Sequence, residues 1–392
     1  MVKGESQYGG TRLFAEEAAA ALARAGHRAD RLDIVGETPV DQALAAAARE
    51  RRYDAVISIN ILGDFRSPDG LTLAELFGCP HVLWHTDYVL ASWPRLLGTP
   101  PSTQLLVVDP TQVQALDAAG GPGRFNARFF PHAAVGAPAP DEPDVETFRA
   151  ARPIAALWSG GFAEPQRPWA SAPPQTRQVL DGAVELALSV EWMAPHEALA
   201  QALLAIGMDL SDPAWRRNVP TAWLIDTEVR TRRRLAFLSA LAESGVELHI
   251  CGHGWEPQLH RFKNATCHGP VDMTRMIALM RQSRVVLNTN GNFGAGSHER
   301  PFSAALAGAA SFSDFSRFYA MEFRPDEDIA LFFWLNLKGA MDQLRALLAD
   351  PRRCWHMASG AKQATLARHT WDRRIVDILQ AAGLIPAALH GS

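Results

Sequence analysis

Short runs of apolar and β-branched residues, each followed by a helical pattern, limit what this chain can fold into. Residues 54–60 (DAVISIN), 80–87 (PHVLWHTD), 104–109 (QLLVVD) and 128–132 (RFFPH) are such runs. A strand that is apolar without alternation is buried on both faces, which places it in a parallel sheet covered by helices on either side. A helix over about Thr11 to Ala25, ended by Gly26, and a strand near Arg28 to Val35 open the series. Only Met1, Val2 and Lys3 precede Gly4, so either the first strand is a stub or the sequence starts late.

The pattern then repeats. Runs at 153–161, 246–252, 284–290, 309–314 and 328–333 read as a second set of strands with helices between them. Between the two sets, residues 135–144 hold three prolines and three acids, the composition of a linker. The organisation expected is a doubly wound α/β domain over 1–138, a linker over 139–150, and a second such domain over 151–368. The second domain carries a helical insertion at about 174–220, and a final helix over 369–392 crosses back to the first.

Composition removes several function classes. Lys plus Arg number 38 against 42 Asp plus Glu, a net charge of −4, which gives no general attraction for nucleic acid. Four scattered cysteines, Cys79, Cys251, Cys267 and Cys354, do not make a disulfide framework. No apolar run is long enough to span a bilayer and no signal-peptide pattern opens the chain, so a reducing, cytoplasmic location is expected, with peripheral membrane contact left open. No Gly-x-Ser-x-Gly, His-Glu-x2-His or Gly-x4-Gly-Lys-Ser/Thr pattern occurs, which argues against α/β-hydrolases, zincins and P-loop enzymes.

Ligands of open parallel sheets bind beyond the carboxyl ends of the strands, where this sequence is polar. The first set ends in the Gly4–Gly10 loop with Gly9 and Gly10, then Asn60, Asp64, His85, Asp87, Asp109 and His132. The second ends in Ser159–Gly161, Gly252–Trp255, Asn288–Gly291 and Asp314. Two such faces would form a cleft for two separate ligands. The sharpest feature is the glycine loop from Gly291 to Gly296 leading into Ser297-His298-Glu299-Arg300-Pro301. With Ser297 as N-cap and Pro301 in the first turn, the helix start would present amides and a positive dipole end to a phosphate. Glu299 could accept hydrogen bonds from ribose hydroxyls, and Arg300 could pair with a diphosphate or merely orient Glu299.

Leu287-Asn-Thr-Asn290, then residues 298–309, Ser313-Asp314 and the His369–Arg374 stretch resemble the C-terminal half of GT-B glycosyltransferases. The similarity is to the CgeB-like, "glycosyl transferase family 1-like" branch. Gly252-His-Gly-Trp255 is in the same style, and so, more loosely, are Ser6–Gly10 and Pro80–Asp87. The resemblance implies two Rossmann-like domains and a nucleotide-diphosphate-sugar donor, UDP-, GDP- or dTDP-linked, held by the C-terminal domain. It implies an acceptor held by the N-terminal one, and usually no metal. Carried over, Glu299 would hold the ribose and the amides around Ser297 and His298 the diphosphate, with Arg300 a weaker charge partner. Gly252, His253 and Trp255 would flank the base or diphosphate, although a packed Trp255 in a tight turn is an equal reading. Asn288 and Asn290 would line the loop or only bond its backbone. The sequence departs from the family twice: eight positions after Glu299 stands Ala307 rather than a second Glu, and the residue after Phe302 is Ser303 rather than an acid. The sugar and the anomeric outcome are thereby left open.

An inverting transfer needs a base on the acceptor hydroxyl. Asp87, at a strand tip, is the first candidate, with His85 and Asp64 next. His249, Cys251, His253, Cys267 and His268 could be drawn as a zinc site, but a buried free cysteine is the simpler reading of position 251. The run Arg230–Arg234 is expected to be the solvated start of a helix, or else to attract donor phosphates or an anionic acceptor. The function expected is transfer of a sugar from a nucleotide donor to a glycan, protein or small molecule. The rivals are a nucleotide-sugar epimerase or hydrolase on the same fold and a catalytically silent sugar-nucleotide-binding scaffold.

Overall fold

The structure is a computed structural model and describes residues 2–3, 9–34 and 38–386. The chain divides into two compact units, Met1–Ala133 with Thr370–Ser392, and Ala134–His369. Of the expected features, the 4–8 loop and Val35 lie outside the described residues.

The first unit is a parallel sheet of β1 (Val2–Lys3), β2 (Leu32–Asp33), β3 (Val56–Ile59), β4 (His81–His85), β5 (Gln104–Val107) and β6 (Asn126–Phe129), in the order β2-β1-β3-β4-β5-β6. The runs VISI and HVLWH are buried at every position, as strands covered on both faces must be. Helices Gly10–Arg24, Val40–Glu50 and Pro110–Gly120 supply cover, the last capped by Asp109 through the Thr111 amide at 2.8 Å. The C-terminal helix Trp371–Ala381 completes this unit. Trp371 is buried against Trp84, with ring centroids 5.5 Å apart, and against Phe14 at 6.3 Å.

The second unit is a parallel sheet of β7 (Ile154–Ser159), β8 (Leu248–Cys251), β9 (Ala265–Cys267), β10 (Ser283–Asn288), β11 (Ala310–Asp314) and β12 (Ala330–Phe332), in the order β12-β11-β10-β7-β8-β9. From β7 the chain winds outward through β8 and β9, and from β10 it winds the other way. The strand order therefore reverses between β7 and β10, where open sheets of this kind bind ligands. Strand β9 was not expected: ATC is three residues long, none fully buried, and carries no apolar run.

The insertion between β7 and β8 comprises helices Pro174–Ser189 and Pro195–Ala205, a 3-10 stretch Pro213–Thr221, and then the long helix Ala222–Ser244. The stretch read as a linker is a strap on the second unit. Ala139 N bonds Leu306 O at 2.7 Å, Arg281 reaches Ala137 O at 2.7 Å, and the Lys362 ammonium holds Asp141 at 2.6 Å. Its prolines limit the conformations open to the unfolded strap; Asp141 and Glu142 pair with the buried cations Lys362 and Arg152, and Asp144 caps the next helix through Thr147 N. Among the described residues no helix is long and apolar enough to cross a membrane.

Candidate functional site

In the first unit, Asp87 stands exposed just past β4, its Oδ2 accepting from Asn60 Nδ2 at 3.2 Å. His85, two residues earlier, is buried; burial, with Arg95 nearby, pushes its pKa down to about 4, so the imidazole is uncharged at neutral pH. Asp64 is half-buried and paired with Arg95 Nε at 3.5 Å. Gly9 begins the helix Gly10–Arg24 with φ 74°, a left-handed start that suits glycine. Gly10 is that helix's first residue.

In the second unit β10 ends at Asn288 and a loop leads into the helix Glu299–Leu306. This loop is stapled from within. Asn290 receives the Tyr319 hydroxyl at 3.0 Å, gives its side-chain amide to Phe293 O at 2.9 Å, and gives its backbone N–H to Asp314 Oδ1 at 2.6 Å. Ser316 Oγ bonds Gly296 O at 2.5 Å and Arg317 N bonds Gly294 O at 2.8 Å. Asn288 Oδ1 accepts from Arg300 Nη1 at 2.7 Å, while its Nδ2 donates to Ser313 Oγ at 2.9 Å. Asn288 and Asn290 are therefore loop and strand fasteners, the second of the two roles open to them.

The helix start differs from the expectation by one residue: the N-cap is His298, with extended backbone, and Ser297 is fully buried behind it. The His298 amide is taken by the Tyr319 hydroxyl at 2.7 Å, so it is not available to a phosphate. His298 Nδ1 lies 2.5 Å from Glu299 Oε2 and 3.4 Å from Arg300 N. One nitrogen lone pair cannot both accept the amide and share a proton with the carboxylate, and the shorter contact prevails. Glu299 is thus oriented by its neighbour at the helix start. Arg300 is bound to Asn288 and desolvated, its pKa lowered by burial; it braces the loop rather than projecting from it.

The guanidinium groups of Arg230, Arg234 and Arg300 gather here. The run Arg230–Arg234 is not the start of a helix but the middle of Ala222–Ser244. Arg233 points into the insertion and donates to the carbonyls of Ala187, Val190 and Glu191 at 2.9, 3.1 and 3.2 Å. Arg230 lies along the glycine loop: a Cβ at Gly291 would sit 3.0 Å from its Cδ. Arg234 lies over Trp158, 6.0 Å from the ring centre, and its buried Nε has no hydrogen-bond partner among the described residues. Burial, then the charges of Arg230 and Arg300, push the Arg234 pKa down to about 10, which leaves it a cation at neutral pH. The acids nearby are Asp226, 3.9 Å from Arg230 Nη2, Glu299 beside Arg300, and Asp314, whose pKa burial pushes up to about 7. Like charges held together at one loop form an arrangement that an anion would relieve. Tyr319 carried no signal in the sequence, whereas Asp314 was legible as a strand tip and Arg230 and Arg234 as members of a basic run that could attract phosphates. Their signal was spacing: Arg230 and Arg234 are four apart and so share a helix face.

Trp255 is a core residue, not a ligand wall. It is fully buried, packs on Phe162 and Phe262, and donates its indole N–H to Gly160 O at 2.8 Å. Gly252, at φ 141°, brings the ends of β7 and β8 together; a Cβ there would lie 2.4 Å from Gly160 O. His253 is exposed at that tip, its carbonyl accepting from Phe162 N at 2.8 Å. His249 Nδ1 and His268 Nε2 pair at 2.9 Å, but among the described residues no three His, Cys, Asp or Glu side chains form a metal-ligand set.

Residues 230–380 match the family described as "Glycosyl transferase-like", and the match begins at Arg230. Comparison with curated protein sequences gives no match. Among solved structures, the chain is similar to Anabaena Alr3699/HepE in complex with UDP-glucose, at 11% identity and TM-score 0.53, covering 97% of this chain and 98% of that one. It is similar to sucrose-phosphate synthase from Thermosynechococcus elongatus at 10% identity and TM-score 0.55, covering 97% of each chain. WaaG, a glycosyltransferase involved in lipopolysaccharide biosynthesis, aligns at 12% identity and TM-score 0.51 over 98% of this chain and 100% of that one. At these identities the likeness is one of fold. The chain thus has the two-sheet fold seen in GT-B glycosyltransferases, and its residues 230–380 are similar to the glycosyl transferase-like family.

Proposed function

We propose that the protein is a glycosyltransferase that takes a sugar from a nucleotide-diphosphate donor and passes it to a hydroxyl of a glycan, protein or small molecule. The observation that carries this reading is the convergence of Arg230, Arg234 and the helix start at Glu299 on one rigid loop at the point where the second sheet reverses its strand order. A similar fold has been seen with UDP-glucose, which makes UDP the first nucleotide to test, before GDP and dTDP.

In this reading Arg230 and Arg234 hold the diphosphate, neutralising the charge that grows on it as the sugar leaves, so that the residues themselves supply the role a metal plays elsewhere. Glu299, held by His298, accepts the ribose hydroxyls, and Gly252 and His253 border the nucleotide. Asp87 of the first unit receives the acceptor's proton as its oxygen bonds to the sugar C1, while the C1–O bond to phosphate breaks and the nucleoside diphosphate departs with the electron pair. His85, neutral and buried, and Asp64, held by Arg95, are left as lining residues.

Thermal unfolding with UDP, GDP, dTDP and their glucose conjugates, in EDTA and then with Mg²⁺, tests this. One nucleotide should raise the melting temperature, because at about 100 Kd a ligand adds ~2.7 kcal/mol to the native state. The shift should be retained in EDTA and lost in Arg234→Met and Glu299→Ala. No shift with any nucleotide, or one that survives Arg230→Met and Arg234→Met together, overturns the reading.

A further inference from the structure

We infer that Asn60 is the positioning residue for Asp87, an assignment that rests on the reading of Asp87 as the base. Asn60 follows β3, at the point where the first sheet changes direction between β1 and β3. Its backbone continues the ladder, with its N–H on Trp84 O at 2.8 Å, yet it turns left-handed at φ 59°. Leu62, two residues on, does the same at φ 69°. Two non-glycine residues in that region, two positions apart at the tip of a central strand, are conformations that need outside support, and such strain gathers at functional sites. Here the Leu62 side chain is buried in a cluster with Leu44, Val56 and Leu73, and the Asn60 side chain is bonded at both ends.

The Asn60 amide has a fixed orientation. Its Oδ1 accepts the Thr86 N–H at 2.8 Å, so Nδ2 faces the other way and donates to Thr86 Oγ1 at 2.7 Å and to Asp87 Oδ2 at 3.2 Å. One carboxylate oxygen is thereby anchored. Oδ1 of Asp87 takes no bond among the described residues and is left to receive a proton. Nor is Asp87 spent as a helix cap, the commonest use of an acid at a strand end. The following turn, Val89–Ser92, starts from Tyr88 with no side-chain cap, and its first amide is taken by Gln112 Oε1 at 3.2 Å.

The test is steady-state hydrolysis of UDP-, GDP- and dTDP-glucose by the full chain, water standing in for the acceptor. Asn60→Asp keeps the acceptor for Thr86 and the left-handed turn but removes the donor to Asp87; Asn60→Gly keeps the turn and removes the side chain. Both should lower kcat about ten- to a hundredfold, less than the ~10²- to 10⁴-fold that a positioned base supplies. KM for the donor should stay within about twofold, and melting should remain near that of the parent. Added to Asp87→Asn, Asn60→Asp should cost nothing more, because the two act as one unit. If Asp87→Asn abolishes turnover while both Asn60 variants keep the parent kcat, the positioning role falls and the base reading stands. If both Asn60 variants lose their cooperative melting, the residue is structural only and the inference is overturned. If Asp87→Asn keeps full kcat, or the parent hydrolyses none of the three donors, the reading of the base falls and this inference with it.

Discussion

Asp314 shows how burial of a single residue couples folding to pH. It ends β11 fully buried, accepts from Asn290 N–H and from the Trp334 indole N–H at 3.1 Å, and has a pKa pushed up to about 7 by burial. An acid whose folded pKa lies above its unfolded value near 3.9 binds a proton on folding, so the stability it contributes is full below the unfolded value and is lost as pH rises toward 7. Over that window linkage is worth on the order of 4 kcal/mol as an upper bound. Chemical denaturation of the parent and of Asp314→Asn at pH 5 and pH 8 should therefore show the parent losing more stability than the variant on going to pH 8. Equal changes in the two proteins would mean that the acid is charged throughout. Residues at this scale were unevenly legible. Glu299 could be named because a helix start is a local pattern. Trp255 could not be told from a ligand wall, nor Arg234 from a solvated charge, because burial depends on what lies across the sheet.

At the scale of elements, the helix Glu299–Leu306 is held at both ends by groups far away in sequence. Its start is fixed by Tyr319, and its end by Arg152, whose guanidinium bonds Gly308 O at 2.8 Å, Ala307 O at 3.2 Å and the carbonyl of Arg281, while pairing with Glu142 at 2.7 Å. Arg152 thus gathers the carboxyl ends of two helices, Glu299–Leu306 and Met273–Met280, where a cation is favoured. Removing it leaves those carbonyls and Glu142 without their buried cation. Arg152→Ala should cost about 3–5 kcal/mol, measured as the denaturant midpoint of the second unit. A loss below 1 kcal/mol would mean that water replaces the guanidinium. Gly308, at φ 78°, could not carry a side chain beside Arg152, since a Cβ would lie 2.1 Å from Nη2. The buried strands of both sheets were readable, since unbroken apolar runs have few alternatives. β9 and the N-cap at His298 were not: a three-residue edge strand is made by its neighbour, and the cap by the loop's staples rather than by the residue type.

For the whole molecule, the first unit is discontinuous, and its closure depends on the last helix. Besides the contacts of Trp371, the Arg374 guanidinium bonds the carbonyls of Pro131 and His132 at 3.2 and 3.3 Å, and Arg128 reaches Asp377 O at 2.6 Å. A chain ending at His369 would uncover Trp84 and Phe14, which pack on Trp371. Such a truncation should abolish cooperative unfolding of the first unit. The milder Trp371→Ala should cost about 3–5 kcal/mol, both followed by tryptophan fluorescence. A truncated protein with both transitions intact would show that the helix is dispensable.

The sequence by itself determined that there are two parallel sheets, where most strands run, that an insertion separates β7 from β8, and that a glycine loop leads into a helix at Glu299. All of these follow from periodicity and from glycine, proline and capping chemistry, which act over a few residues. Tertiary structure alone decided the strand order and so the place where it reverses, the gathering of Arg230 and Arg234 on that loop, the burial of Trp255, and the bond from Asn60 to Asp87. Each of those joins residues that are distant along the chain, and the desolvation and hydrogen bonds that give them their chemistry arise only when packing brings them together.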